Sequence, residues 1–206
     1  MENLTDLQKM KLNNELAGRN CSRESAEKIL EGISELIKVT GRGIDSGTFE
    51  SPYRIFKAYL ELTRGYTENP ATHLLKTFDI DKNDNEVVII KDIDFSSLCE
   101  HHAMPFFGKV HIAYIPNGKV VGLSKFARLV EGFSQRLQLQ ERLTSQIITA
   151  IDEVLSPAGV MVVIEAEHTC MTLRGIKNKG ALTTTVATRG IFNESNKKKE
   201  ILNLLK

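Results

Sequence analysis

The chain has 206 residues, of which 41% are hydrophobic, enough for one sizeable core and a smaller helical appendage. Its 27 Lys and Arg balance 26 Asp and Glu, leaving a net charge of +1. Such a balance gives no bulk electrostatic reason to bind nucleic acid or an anionic membrane, so any anionic ligand must be held by a local cluster. The charged start lacks a secretory signal's apolar core, and no apolar run approaches the ~18 residues of a membrane span. The expectation is a cytoplasmic protein that binds neither nucleic acid nor membrane.

Residues 1–20 are polar and weakly periodic and read as a loosely ordered arm. Ala26, Ile29, Leu30, Ile33, Leu36 and Ile37 then fall on one helical face, and Gly41 and Gly43 end that helix. Ser51-Pro52 reads as an N-cap and first helical residue. Ile55, Ala58, Tyr59 and Leu62 stripe the helix that follows. After a polar turn at Asp81–Glu86 the pattern turns to β at Val87–Ile90, Lys109–Ile115 and Lys119–Gly122. Pro116-Asn117-Gly118 signals a hairpin between the last two. Two amphipathic helices come next, the first striped by Phe126, Leu129, Val130, Phe133 and Leu137, the second by Ile147, Ile151, Val154 and Leu155. Strands are expected at Val160–His168 and Leu182–Thr188, and a charged amphipathic helix at Glu194–Lys206. This order predicts an α+β fold, an antiparallel sheet with helices on one side. The division expected is an N-terminal arm with helices over 1–75 and a main domain over 76–206.

Three cysteines, Cys21, Cys99 and Cys170, argue against a disulfide framework. In Cys99-Glu100-His101-His102 a thiolate and an imidazole at i and i+3 can reach one metal ion from a tight turn. His168 or Cys170 could complete the set. If the strand before them stays extended, both share its inward face. Buried, inert cysteines and ordinary surface histidines would also account for these residues. Cys99, His102 and Cys170 make three ligands, which leaves a position for water, as in catalytic rather than structural zinc sites. Cys21 has no metal-ligand neighbour and reads as a spectator.

Gly122–Arg128 sits where a strand hands over to a helix. Ser124 is the expected N-cap, and Lys125 and Arg128 share a face. With Arg174 and Arg54 they could hold a phosphate, or they could be solvated surface cations. Gln138, Gln140 and Glu141 follow the first central helix. A carboxylate there can accept two N–H bonds from a guanine edge, although by pattern alone a plain polar helix surface is the better reading.

The segments SLCEHH, PFFGKVHIAYIP, VGLSKFARLVEGFSQRLQLQERLT and EAEHTCMTLRG together resemble GTP cyclohydrolase I over about residues 97–192, with a weaker likeness in SPYRIFKAY at 51–59. The resemblance implies a T-fold, whose sheet carries two helices on one face and joins its neighbours' sheets into a barrel, preceded by an N-terminal helical segment. It also implies a homodecamer of two pentamers, with active sites at subunit interfaces. The implied reaction is hydrolytic opening of the GTP imidazole ring at C8, giving formate and 7,8-dihydroneopterin triphosphate, the first step toward tetrahydrofolate and related pterins. By motif position, Cys99, His102 and Cys170 correspond to Zn2+ ligands, and His168, His101 and Ser124 to catalytic groups. Lys125, Arg128, Arg174 and Arg54 correspond to triphosphate contacts, Ser124 to a ribose contact, and Gln140 and Glu141 to the guanine-recognition pair. Ala181, Val186 and Lys179 depart from the family's usual residues. Other T-fold purine or pterin enzymes, and a noncatalytic nucleotide-binding protein with structural zinc, remain competing readings.

Overall fold

The computed structural model describes residues 15–205, so the first fourteen residues of the expected arm lie outside the described region. Two compact units divide between Thr67 and Glu68. The first holds helices α1 (Arg23–Val39) and α2 (Ser51–Leu62). Ser22 caps α1, its hydroxyl accepting from Ser25 N at 3.1 Å. Leu16, Ala26, Leu30 and Phe56 form a small core between the helices. Ser51 is already helical, and the cap position falls to Glu50, which makes no side-chain capping bond. Pro52 still stands in the first turn, where its missing N–H costs no helical bond.

The second unit contains β1 (Thr77–Asp79), β2 (Val88–Cys99), β3 (Pro105–Ile115), β4 (Lys119–Val121), α3 (Ser124–Ser134), β5 (Leu137–Gln138) and α4 (Gln140–Leu155). After these come β6 (Gly159–His168), the single turn α5 (Thr169–Thr172), β7 (Thr183–Gly190) and α6 (Ser195–Leu205). Five strands form one sheet in the order β5-β2-β3-β6-β7. All its pairings are antiparallel except the two-residue contact of β5 with β2.

The hairpin expected at Pro116-Asn117-Gly118 does not form between its flanking strands. β3 is already paired on both sides, with β2 and with β6, so no edge remains for β4. β4 pairs with β1 instead, in a separate two-stranded ribbon. The hairpin that matters joins β2 to β3 through residues 100–104, with Leu98 opposite Pro105.

Strand β6 is central and buried on both faces, which explains its unbroken apolar run. Val160, Val162, Ile164 and Ala166 pack with Phe126, Leu129, Leu143, Ile147 and Ile151 of α3 and α4. Met161 and Val163 face the other way, toward Phe192 and Ile201 of the C-terminal segment. The two central helices share one face as expected, but α6 packs over the opposite one. β3 and β6 approach closely at Gly108, where an added Cβ would stand 1.9 Å from Glu165 O.

Candidate metal centre and neighbouring acid–base site

β2 delivers Cys99 at its last residue, and the tight connection to β3 places the histidines. Cys99 N donates to Met104 O at 2.8 Å, and Ala103 N donates back to Cys99 O at 2.8 Å. Ala103 takes a left-handed conformation with φ 51° to close this turn. The Nδ1 atoms of His101 and His102 each lie 3.9 Å from Cys99 Sγ.

The third partner arrives by a route the sequence did not suggest. β6 ends at His168, and the chain turns at once into α5 rather than staying extended. That turn brings Cys170 back over the β2–β3 connection. Ligand atoms of Cys99, His102 and Cys170 all lie within 4.8 Å of one another. A tetrahedral zinc with bonds of about 2.0–2.3 Å spaces its ligands about 3.3–3.8 Å apart, near the 3.9 Å between Cys99 Sγ and His102 Nδ1, so the three residues fit such an ion once drawn in around it. Burial pushes the Cys170 thiol up, and the neighbouring Cys99 sulfur raises it further, while Arg174 acts weakly against both. Two adjacent thiolates need a cation between them. Cys99 is buried, Cys170 half-buried and His102 exposed, which leaves one side open to water.

His168 ends β6, two residues before Cys170, with Nε2 2.8 Å from Gln140 Oε1. Burial lowers its affinity for a proton, and the Glu141 carboxylate partly offsets that effect. Glu141 is exposed and borders an open pocket of about 250 Å³ with Thr144, Thr185 and Arg189. Gln140 is different. It is 2% exposed, and its amide nitrogen donates toward Ile164 O at 3.0 Å and Thr183 O at 2.9 Å. Those N–H groups are committed inside the protein and cannot also serve a base.

The other expected residues lie on α3, on α2 and in the loop after α5. Ser124 is the first residue of α3 and exposed, with Leu123 in the cap position, so it is not the N-cap. Lys125 is half-buried. Arg128 is exposed and lines another recess, of about 430 Å³, with Asp94, Ser96 and Glu131. Arg174 is exposed in the loop after α5. Arg54 belongs to the first unit, on α2, and pairs there with Glu50.

Three contributors were missed from the sequence. Arg142 Nη1 donates to Glu100 Oε2 at 2.5 Å and Nη2 to Glu100 Oε1 at 3.1 Å, a forked pair tying the metal-ligand turn to α4. That pair holds the Glu100 carboxyl below the usual carboxylate range. Phe106 supplies a flat surface beneath His168. No spacing rule joins Glu100 to Arg142 or Phe106 to His168, because each pair meets only through sheet register and helix docking.

The sequence profile of the family described as GTP cyclohydrolase I matches residues 28–206. The chain is 55% identical over 166 residues to GTP cyclohydrolase 1 of Clostridium kluyveri, covering 80% of this chain and 89% of that protein. It is 48% identical over 182 residues to GTP cyclohydrolase 1 of Streptococcus gordonii, covering 87% and 96%. Among solved structures, the apo form of an archaeosine synthase QueF-Like aligns with a TM-score of 0.43 at 22% identity, covering 50% of this chain and 93% of that one.

Proposed function

The chain belongs to the GTP cyclohydrolase I family, and from that premise we propose that it opens the imidazole ring of GTP at C8, releasing formate and forming 7,8-dihydroneopterin triphosphate. The observation that carries this reading is the convergence of Cys99, His102 and Cys170, with His168 two residues before Cys170 at the end of β6. These three residues would hold zinc. When bound, zinc supplies Lewis acidity toward water, lowering its pKa to around 7.

The rest of the work falls to side chains of the chain. C8 of guanine is a poor electrophile, and a proton delivered to N7 by His168 makes it a better one. Hydrolysis of the ring consumes two waters and expels formate. The opened ribose then rearranges and closes onto the pyrimidine with loss of one water, so the net reaction consumes one. His101 assists proton transfer at the ribose end, and Ser124 contacts the ribose. Lys125, Arg128 and Arg174, with Arg54 from a neighbouring subunit, hold the triphosphate. The triphosphate is not cleaved, so its binding energy serves to position the reacting ring. Glu141 accepts from the N1–H and 2-amino group of guanine.

The reading includes a T-fold catalytic domain over 76–206 that joins neighbouring sheets into a barrel, in a decamer of two pentamers. β7 forms one end of the strand order, and β5 covers only two residues at the far end of β2, which leaves strand edges for such pairing among the described residues. A cytoplasmic location belongs to it too, because thiols kept free as ligands need a reducing compartment.

The test is formate release from GTP by the purified protein, with fluorescence detection of the oxidised pterin, before and after zinc removal. Turnover should vanish with the metal and return when zinc is restored. A folded, zinc-loaded protein that leaves GTP intact would overturn the proposal.

A further inference from the structure

Gln140 opens α4 with its side chain directed into the protein, where its amide has one permitted orientation. The atom near Ile164 O and Thr183 O must be the nitrogen, because carbonyl oxygens only accept. Reversing the amide would set its oxygen against two others. Two threonines brace the same end. Thr144 Oγ1 donates to Gln140 O at 2.8 Å, so the 2.7 Å contact between Thr144 and Thr185 must carry the Thr185 proton. Thr185 Oγ1 is then left to accept from Gln140 Nε2 at 3.2 Å. The two hydrogens on Nε2 thus meet three acceptors, Ile164 O, Thr183 O and Thr185 Oγ1, and none of the three would accommodate an oxygen in its place.

The outward end of the amide is therefore an oxygen, and it lies 2.8 Å from His168 Nε2. A carbonyl oxygen and a ring nitrogen at that distance form a hydrogen bond only if the nitrogen carries hydrogen. We propose that Gln140 is a positioning residue that fixes His168 as the Nε2–H tautomer, so that Nδ1 is the ring nitrogen that gives and takes the proton during ring opening. This rests on the reading of His168 as the acid–base group. The amide oxygen accepts from Nε2–H whether or not Nδ1 is protonated. The ring therefore needs no rotation as the proton moves, and Phe106 stacked against it holds its plane. The Gln140 side chain thus acts on the reaction through His168.

Nitrogen-15 NMR of histidine-labelled, zinc-loaded protein reads the tautomer directly, with the His168 signals identified by their loss in His168→Asn. The expected result is a protonated Nε2 and a bare Nδ1; the reverse pattern in the wild type overturns the proposal. Gln140→Met removes the acceptor at similar length. It should lose the tautomer preference and lower kcat by about tenfold or more, with KM for GTP held within about threefold. Gln140→Glu keeps an oxygen toward His168 but sets the second against Ile164 O and Thr183 O, so it should not recover kcat, and wild-type kcat in it would contradict the fixed orientation of the amide. A raised KM with unchanged kcat in Gln140→Met would return Gln140 to guanine binding and defeat the proposal. If Gln140→Met does not fold, the wild-type spectrum still decides. Failure of the wild type to release formate would defeat the functional reading, whereas the ring spectrum would report the tautomer regardless.

Discussion

The imidazole of His168 lies flat on the ring of Phe106, with centroids 4.5 Å apart and planes within 3° of parallel. The two residues are direct partners in the β3–β6 register, and Phe106 is fully buried. Leucine at 106 keeps an apolar side chain but removes the flat surface. Phe106→Leu should cost about 1–2 kcal/mol of stability. Zinc content should stay unchanged and kcat for formate release should fall. Full activity in that variant would show that the stacked face has no part in orienting the imidazole.

The metal-holding and proton-handling roles should separate by substitution. Cys170→Ser removes one of three ligands, so bound zinc and formate release are expected to disappear together. His168→Ala should keep its zinc while kcat falls by about 10²–10⁴-fold. Metal analysis and formate assay on the same preparations test both. Near-normal turnover in His168→Ala would remove it from the mechanism.

Glu141 should affect both substrate and His168. Burial depresses the imidazole pKa, and the Glu141 carboxylate raises it by favouring the charged ring. Glu141→Gln removes only the second influence, so the His168 pKa should move further down and the neutral ring should persist to lower pH. A nearby cation pushes in the same direction, so the sign holds with zinc bound. NMR titration of the His168 ring measures this, and an upward shift would contradict the assignment of causes. The same variant should raise KM for GTP.

Gly108 tests the sheet beneath the site. A methyl group there would stand 1.9 Å from Glu165 O and 2.8 Å from Ala166 Cα, both backbone atoms. β3 and β6 cannot keep their spacing around it. Gly108→Ala is expected to cost about 3 kcal/mol or more, visible as a lower urea midpoint. A midpoint equal to wild type would mean the strands tolerate a wider separation.

Local chemistry made much of this molecule legible in the sequence. The apolar stripes of α1, α3 and α4 marked those helices, and Cys99-Glu100-His101-His102 marked a ligand turn, because helices and turns are decided over a few residues. Pairing is decided by competition for edges. Pro116-Asn117-Gly118 carries the right turn residues, yet β6, far along the chain, already occupies the edge that β4 would need. Ser124 has the right side chain for a cap but stands one position inside the helix. The inward turn of Gln140 was equally hidden, since its partners Ile164, Thr183 and Thr185 lie on two strands that follow it in the chain.

The separation of Cys99 and His102 from Cys170 along the chain has a consequence for biosynthesis. The β2–β3 turn can form on the ribosome as soon as its residues emerge, but it then offers only part of a zinc site. Cys170 is translated later, after α3, α4 and β6, and it reaches the turn only when β6 docks on β3 and the chain bends at Thr169. A nascent polypeptide therefore cannot complete the site early, and zinc acquired at full affinity marks a domain whose central strands are already in register.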